Sequence, residues 1–129
     1  MDTNEGASIV SQELIKQQHL EVRAQEGAKI KLEIETEYLS VKSVSGGIIS
    51  LNGVTESQTV EANTGGIYSG YGLQSKRATV TSSSGANVEV IASELLDANV
   101  RFGGSIYYKG TPEVLKTKVM IGGTIKDKN

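Results

Sequence analysis

The sequence predicts an all-β fold, a single-stranded parallel β-helix of about six 19-residue turns. Three observations carry that reading. Glycine recurs every 19 residues, at Gly47, Gly66, Gly85, Gly104 and Gly123, and in four places a second glycine precedes it, at Gly46, Gly65, Gly103 and Gly122. A fixed period in this range marks a chain built from stacked units. Between the glycines, small or apolar residues alternate with polar ones, which is the period of a strand with one buried face. A unit of 19 residues is too short for two helices, lacks the leucine-rich-repeat asparagine, and suits one coil of a β-helix. Each coil then pairs with those above and below at about 4.8 Å.

The elements follow in order. Residues 1–129 read as one domain, with 1–20 an irregular first turn or cap and 21–129 the regular repeats. Gly6-Ala7 reads as a first corner, set 21 residues before Gly27-Ala28 by a two-residue insertion. The stretch Ile9 to Gln18 holds helix formers and admits a capping helix. Strand is the preferred reading, because Gly6-Ala7 has the look of a corner. From there the columns run regularly. Leu20, Leu39, Gln58, Arg77, Leu96 and Leu115 form one, and Val22, Val41, Val60, Thr79, Ala98 and Thr117 another. A third joins Ala24, Ser43, Ala62, Thr81, Val100 and Val119, and a fourth Ile30, Ile49, Tyr68, Asn87, Ile106 and Ile125. In this register Ser84 stands where the first glycine of its pair is missing. The glycines themselves are read as corner residues, since tight bends often need φ > 0.

Composition removes several function classes. The net charge is −2, from 13 basic and 15 acidic residues interspersed along the chain. No basic stripe exists to neutralise phosphates, so nucleic acid is not an expected partner. No apolar run approaches the roughly 20 residues of a membrane span. Cysteine is absent, which removes disulfides and thiolate metal sites. The N-terminus lacks the shape of a signal peptide. No pattern calls for a cofactor or a metal.

The segment Val-Arg-Phe-Gly-Gly-Ser-Ile-Tyr-Tyr-Lys-Gly-Thr-Pro-Glu-Val (Val100 to Val114), followed by Lys-Val-Met-Ile-Gly-Gly-Thr-Ile (Lys118 to Ile125), resembles the closing repeats of the auto-transporter adhesin head GIN domain family. The resemblance covers Gly27 to Asn129. It implies a right-handed β-helix, a cell-envelope location, and an adhesive or scaffold role with no established activity. Family members are usually longer, so the chain is expected to correspond to the C-terminal part of such a domain.

Candidate chemistry is sparse. Glu37, Glu56, Ser75, Glu94 and Glu113 share a column, so Glu37 is expected beside Glu56 and Glu94 beside Glu113. Such a pair at about 5 Å repels by under about 1 kcal/mol in water, which a solvated corner tolerates without calcium. No motif orders the carboxylates into an acid and base pair in a cleft, so no catalytic residue is assigned. His19 stands alone. The glycine pairs are not a phosphate loop, because no G-K-[ST] occurs and no G-x-G-x-x-G precedes a helix. Tyrosine is more telling. Alternation sends Tyr68 and Tyr108 inward and leaves Tyr71 and Tyr107 facing solvent, where aromatic faces stack on sugars or anchor a protein.

The function read from the sequence is therefore a non-enzymatic envelope binding or scaffold module, with a glycan or cell-surface protein as partner at Tyr71 and Tyr107. A self-assembling structural β-helix is the alternative class, and a carbohydrate-active enzyme comes third. Self-association is expected through the N-terminal turn, most simply as a two-fold dimer, because its edge carries no charged block over Ser8-Ile9-Val10, whereas Lys126-Asp127-Lys128-Asn129 blunts the other end.

Overall fold

The computed structural model describes residues 2–3, 8–119 and 122–127. Among them there is no helix, and so none long and apolar enough to cross a membrane. Nine strands form one parallel sheet wound into a solenoid of about six coils. They are β1 (Asp2–Thr3), β2 (Ser8–Ala24), β3 (Lys29–Ser43), β4 (Ile48–Ala62), β5 (Ile67–Ser82), β6 (Asn87–Val100), β7 (Ser105–Lys109), β8 (Val114–Val119) and β9 (Thr124–Asp127). Residues 9–18 lie within β2 and are extended. The corner read at Gly6-Ala7, Ile121, and the Lys128-Asn129 tail lie outside the described residues.

Each coil is one long strand folded at a corner. In β3, buried and exposed residues alternate as far as Thr36, after which Glu37 and Tyr38 both face outward before Leu39 turns in again. Two successive outward side chains cannot belong to one flat strand, whose period is two. The same break falls at Lys76–Arg77 in β5, and in β6 the corner holds three residues, Ser93, Glu94 and Leu95, between the buried Ala92 and Leu96.

At the opposite corner the strands are joined by four-residue turns, Gln25–Ala28, Val44–Gly47, Asn63–Gly66, Ser83–Ala86 and Arg101–Gly104. Each is closed by a hydrogen bond from the fourth N–H to the first carbonyl, at 2.9–3.1 Å. Both central residues have φ > 0, near 50° at Ser45, Thr64 and Phe102 and near 75–79° at Gly46, Gly65 and Gly103. That is the backbone of a type I′ turn. The turns also stack: the N–H of Gly46 donates to Thr64 O in the next coil, and that of Gly65 to Ser84 O. The second glycine of each pair does not have positive φ. Its constraint is crowding, since a Cβ at Gly66 would run into the Ser43 carbonyl and one at Gly104 would lie 2.6 Å from Ser82 O.

Register shows where the 19-residue count fails. Positive φ runs through Gly27, Gly46, Gly65, Gly85, Gly103 and Gly122, so Gly85 belongs with Gly65 and Gly103, and Ala86 stands where Gly66 and Gly104 stand. One coil is 20 residues long (85 − 65) and the next 18 (103 − 85). The inward columns shift accordingly. Ala78, Val80, Ser82 and Val88 are buried where the sequence count put Arg77, Thr79, Thr81 and Asn87. Burying Arg77 unpaired would be costly, and one extra residue in β5 avoids it.

The core is a set of ladders along the solenoid axis, among them Ile30–Ile49–Tyr68–Val88–Ile106 and Val22–Val41–Val60–Val80–Ala98. It includes one buried polar chain. Tyr68 Oη donates to Gln58 Oε1 at 2.8 Å, Gln58 Nε2 donates to Ser75 Oγ at 2.8 Å, and Ser75 Oγ donates to the Ile91 carbonyl. Tyr68 is fully buried, and its ring fills the space in front of Gly70, whose Cβ would collide with it.

Candidate functional site

The extra residue of β5 sits in the segment Gly70-Tyr71-Gly72. Toward β4, Ser50 pairs Ser69 and Asn52 pairs Gly72, so Gly70 and Tyr71 together oppose Leu51. Toward β6, Ser69 pairs Glu89 and Gln74 pairs Ile91, which leaves residues 70–73 opposite Val90 alone. A bulge of this kind bends its strand and re-aims a side chain, and bulges gather near binding and active sites. Glycine on both sides lets the backbone make the excursion: Gly70 yields to the Tyr68 ring, and a Cβ at Gly72 would strike Asn52 Oδ1.

The bulge swings Tyr71 over the neighbouring coils. Lys109 Nζ lies 4.5 Å from the centroid of the Tyr71 ring, in cation–π contact. An outward ladder runs beside it from Ser69 through Glu89 and Tyr107 to Lys126. Ser69 Oγ donates to Glu89 Oε1 at 3.4 Å. Tyr71, Asn87, Glu89, Tyr107, Lys109 and Lys126 together line a groove of about 610 Å³. Burial raises the Tyr71 phenol above its ordinary pKa, with a further contribution from the negative charge of Glu89. The two tyrosines and Glu89 thus converge on one spot. Tyr71 and Tyr107 are half-buried, not fully in solvent as strand alternation implied. Their outer faces border a groove that carries an acceptor carboxylate, an amide and two ammonium groups.

Three of the other carboxylates, Glu35, Glu37 and Glu56, have partners along a different edge. The inserted residue places Lys76, not Ser75, next to Glu56, and the two form an ion pair at 3.3 Å. Ser75 points into the core instead. Lys16 pairs Glu35 at 3.3 Å, and Gln18 Nε2 donates to Glu37 at 3.2 Å. These residues line a second groove of about 790 Å³ along the corner that breaks the strands. It is larger but contains no aromatic ring, and both of its lysines are already ion-paired with two of its three carboxylates. His19 stacks on Tyr38 at 4.9 Å. Among the described residues no group of three or more His, Cys, Asp or Glu is placed to hold a metal.

Sequence reasoning singled out Tyr71 and Tyr107, which the structure brings to one groove, but not Asn87, Lys109 or Lys126, nor Glu89 as their neighbour. The signal for the site was Gly-Tyr-Gly at 70–72, out of step with the glycine period. The corner glycines Gly46, Gly47, Gly65, Gly66, Gly85, Gly103, Gly104, Gly122 and Gly123 lie along another edge and hold the coils in shape.

The family model described as "Putative auto-transporter adhesin, head GIN domain" matches residues 1–112. The match takes in the residues before Gly27 and stops short of the Lys118–Ile125 repeat. Comparison with curated proteins finds no match. Among solved structures, the fold is similar to a putative lipid binding protein from Parabacteroides distasonis ATCC 8503, at 24% identity and a TM-score of 0.95, over 99% of this chain and 52% of that one. It is similar to a putative adhesin from Parabacteroides merdae ATCC 43184, at 20% identity and a TM-score of 0.92, over 99% and 54%. A second putative adhesin from P. distasonis ATCC 8503 aligns at 20% identity and a TM-score of 0.89, over 96% and 53%. The chain therefore spans about half the length of these structures.

Proposed function

The chain belongs to the putative auto-transporter adhesin, head GIN domain family, and on that premise we propose that it is a non-enzymatic binding module of the cell envelope whose Tyr71–Tyr107 groove contacts a glycan. The observation that carries this reading is the glycine-flanked bulge that brings Tyr71 into a groove with Tyr107, Glu89, Asn87, Lys109 and Lys126. A sugar presents an apolar ring face edged by hydroxyls. Half-buried aromatic faces flanked by a carboxylate, an amide and ammonium groups complement that pattern. The non-enzymatic reading is supported by the adhesin-like family and by a lining whose one carboxylate has no second carboxylate across the groove to act with it. The adhesin-like family supports a surface or envelope location. One of the solved neighbours is described as a lipid binding protein. The groove here favours a sugar, because its apolar surface is confined to two phenol rings among charged groups.

A glycan array probed with the chain and with Tyr71→Ala and Tyr107→Ala tests the reading. A set of glycans bound by the parent, and at least tenfold more weakly by each variant, is expected. Binding that survives both substitutions places the contact elsewhere.

A further inference from the structure

The groove beside Tyr71 carries more charge than a neutral sugar needs. Two ammonium groups, Lys109 and Lys126, stand in its lining against the single carboxylate of Glu89. These groups do not neutralise one another. The ion pairs among the described residues join Lys16 to Glu35, Arg23 to Glu21 and Lys76 to Glu56, and none lies in this groove. Register gives the reason. In the corner groove, Lys16 and Lys76 each have a glutamate beside them in the next coil, at 3.3 Å. Here the residue beside Lys109 is Ile91, and the residue beside Lys126 is Tyr107.

The charges are also ordered in space. Glu89, Tyr107 and Lys126 are successive members of one outward column, so Tyr107 stands between the carboxylate and the ammonium. Two strand spacings separate the backbones of Glu89 and Lys126 by about 10 Å. Lys109 lies two residues along β7 from Tyr107, on the same face, with its ammonium over the Tyr71 ring. Asp127 belongs to the next column, in register with Tyr108, and does not line the groove. One side of the groove therefore holds Glu89 with the Asn87 amide, and the other holds both lysines. Coil stacking sets those two like charges about 8 Å apart at the backbone, and an anion placed between them offsets their repulsion. The column faces away from the solenoid axis, so a further coil stacked on β9 lengthens the groove without covering it.

Resting on the glycan reading above, we propose that the groove selects an anionic sugar, a pyranose bearing a carboxylate or a sulfate. The ring stacks on Tyr107, its anionic edge turned toward Lys109 and Lys126 and its hydroxyl edge toward Glu89. Glu89 sets that orientation, because an ionised carboxylate accepts from hydroxyls and repels an anion. A neutral sugar leaves both ammonium groups without a counter-charge. A sugar with anions on both edges sets one of them against Glu89. Carboxylate and sulfate oxygens offer the ammonium groups the same charge-assisted contact.

Polygalacturonate and its fully methyl-esterified form share a backbone and differ in charge. Dextran sulfate and dextran make the same comparison for sulfate. Binding of the full chain to all four is measured by biolayer interferometry at low ionic strength. In at least one pair the charged polymer should bind about tenfold more tightly than the neutral one, the return of a single charge-assisted contact. The margin should shrink in 1 M NaCl, where the screening length is about 3 Å. The pair that shows it identifies the carboxylate or the sulfate. Lys109→Gln and Lys126→Gln should each reduce the margin, and Glu89→Gln should widen it. Lys76→Gln removes the same charge from the corner groove and should leave the margin unchanged, with the same far-UV circular dichroism throughout. A margin reduced as much by Lys76→Gln as by Lys126→Gln overturns the proposal in favour of net charge. Equal binding within both pairs, lost in Tyr71→Ala, overturns the preference for an anion and leaves the glycan reading standing. If none of the four polymers binds, the glycan array decides: hits confined to neutral sugars overturn the anionic preference alone, hits confined to acidic sugars support it, and an absence of hits overturns both.

Discussion

The corner glycines come in pairs, and the two members are constrained by different physics, which can be separated at Gly103 and Gly104. Gly103 has φ +79° and nothing within 4 Å of where a Cβ would sit. Alanine there is strained only by its backbone, a cost of about 1 kcal/mol for a residue forced into the left-handed region. Gly104 is the reverse case. Its φ is not left-handed, but an added Cβ would lie 2.6 Å from Ser82 O, 2.7 Å from Ser82 C and 2.8 Å from Ser82 Oγ. That carbonyl also accepts the Arg101 N–H at 2.9 Å, so it cannot retreat without loosening the bond between coils. Ala86 shows that the column accepts a methyl where an adjusted coil makes room. At Gly104 the coil is not adjusted, and overpacking of this kind costs about 2–3 kcal/mol. For 129 residues the unfolding entropy is about 270 cal/mol/K, so each kcal/mol lowers the melting temperature by about 4 °C. Gly103→Ala should therefore melt about 4 °C below the parent and Gly104→Ala about 8–12 °C below it. Differential scanning calorimetry at one pH and ionic strength measures both. A larger drop for Gly103→Ala than for Gly104→Ala would mean that the left-handed backbone at the first position, not the approach of the preceding coil at the second, is the stronger constraint on the pair.

Other perturbations test other parts of the fold. Tyr68→Phe removes the hydroxyl that donates to Gln58 Oε1 and should cost about 1–3 kcal/mol in urea unfolding, the penalty of an unmade buried hydrogen bond; a neutral result would show the polar chain to be dispensable. Burial raises the Tyr68 phenol above its ordinary pKa of 10.0. Above that pH the unfolded chain releases the proton while the folded chain keeps it, so stability should fall as pH rises past about 10. The fall should be shallower in Tyr68→Phe, and equal slopes would assign the alkaline transition to other groups. Lys76→Ala breaks an ion pair whose partners are about half exposed and should change stability by no more than about 0.5 kcal/mol. A loss of 2 kcal/mol would show that the corner groove depends on its charges. Leu96→Ala, at a fully buried ladder position, should cost about 2–5 kcal/mol, and a near-neutral melt would contradict the packed core.

Much of the architecture was legible because a solenoid repeats its local rules. A left-handed glycine recurs at each type I′ turn, and alternation recurs wherever a coil presents one face to the core. The strand assignment of residues 9–18 followed from the same logic and holds in β2. The site was half legible. Tyr71 and Tyr107 stood out as tyrosines outside the inward columns, but their neighbours Glu89, Lys109 and Lys126 are ordinary charged residues 18 to 55 positions away in sequence from Tyr71. Only coil stacking brings them to one groove.

The sequence alone determined the period, the strands, the parallel stacking and the inward columns over most of the chain, because these depend on spacing and on the size and polarity of single residues. The tertiary structure decided where the period slips. A count of 19 sets Gly85 beside Gly66 and Gly104 and carries Arg77 inward, and nothing local forbids either. Cross-strand register forbids both. Once Tyr68 fills the core in front of Gly70, β5 must bulge through Tyr71, and the displaced residue returns the chain to register one position late, with Ala78 inside and Arg77 outside. A bulge is settled by how two strands share their hydrogen bonds and by what volume remains between them, and neither quantity is a property of one segment read by itself.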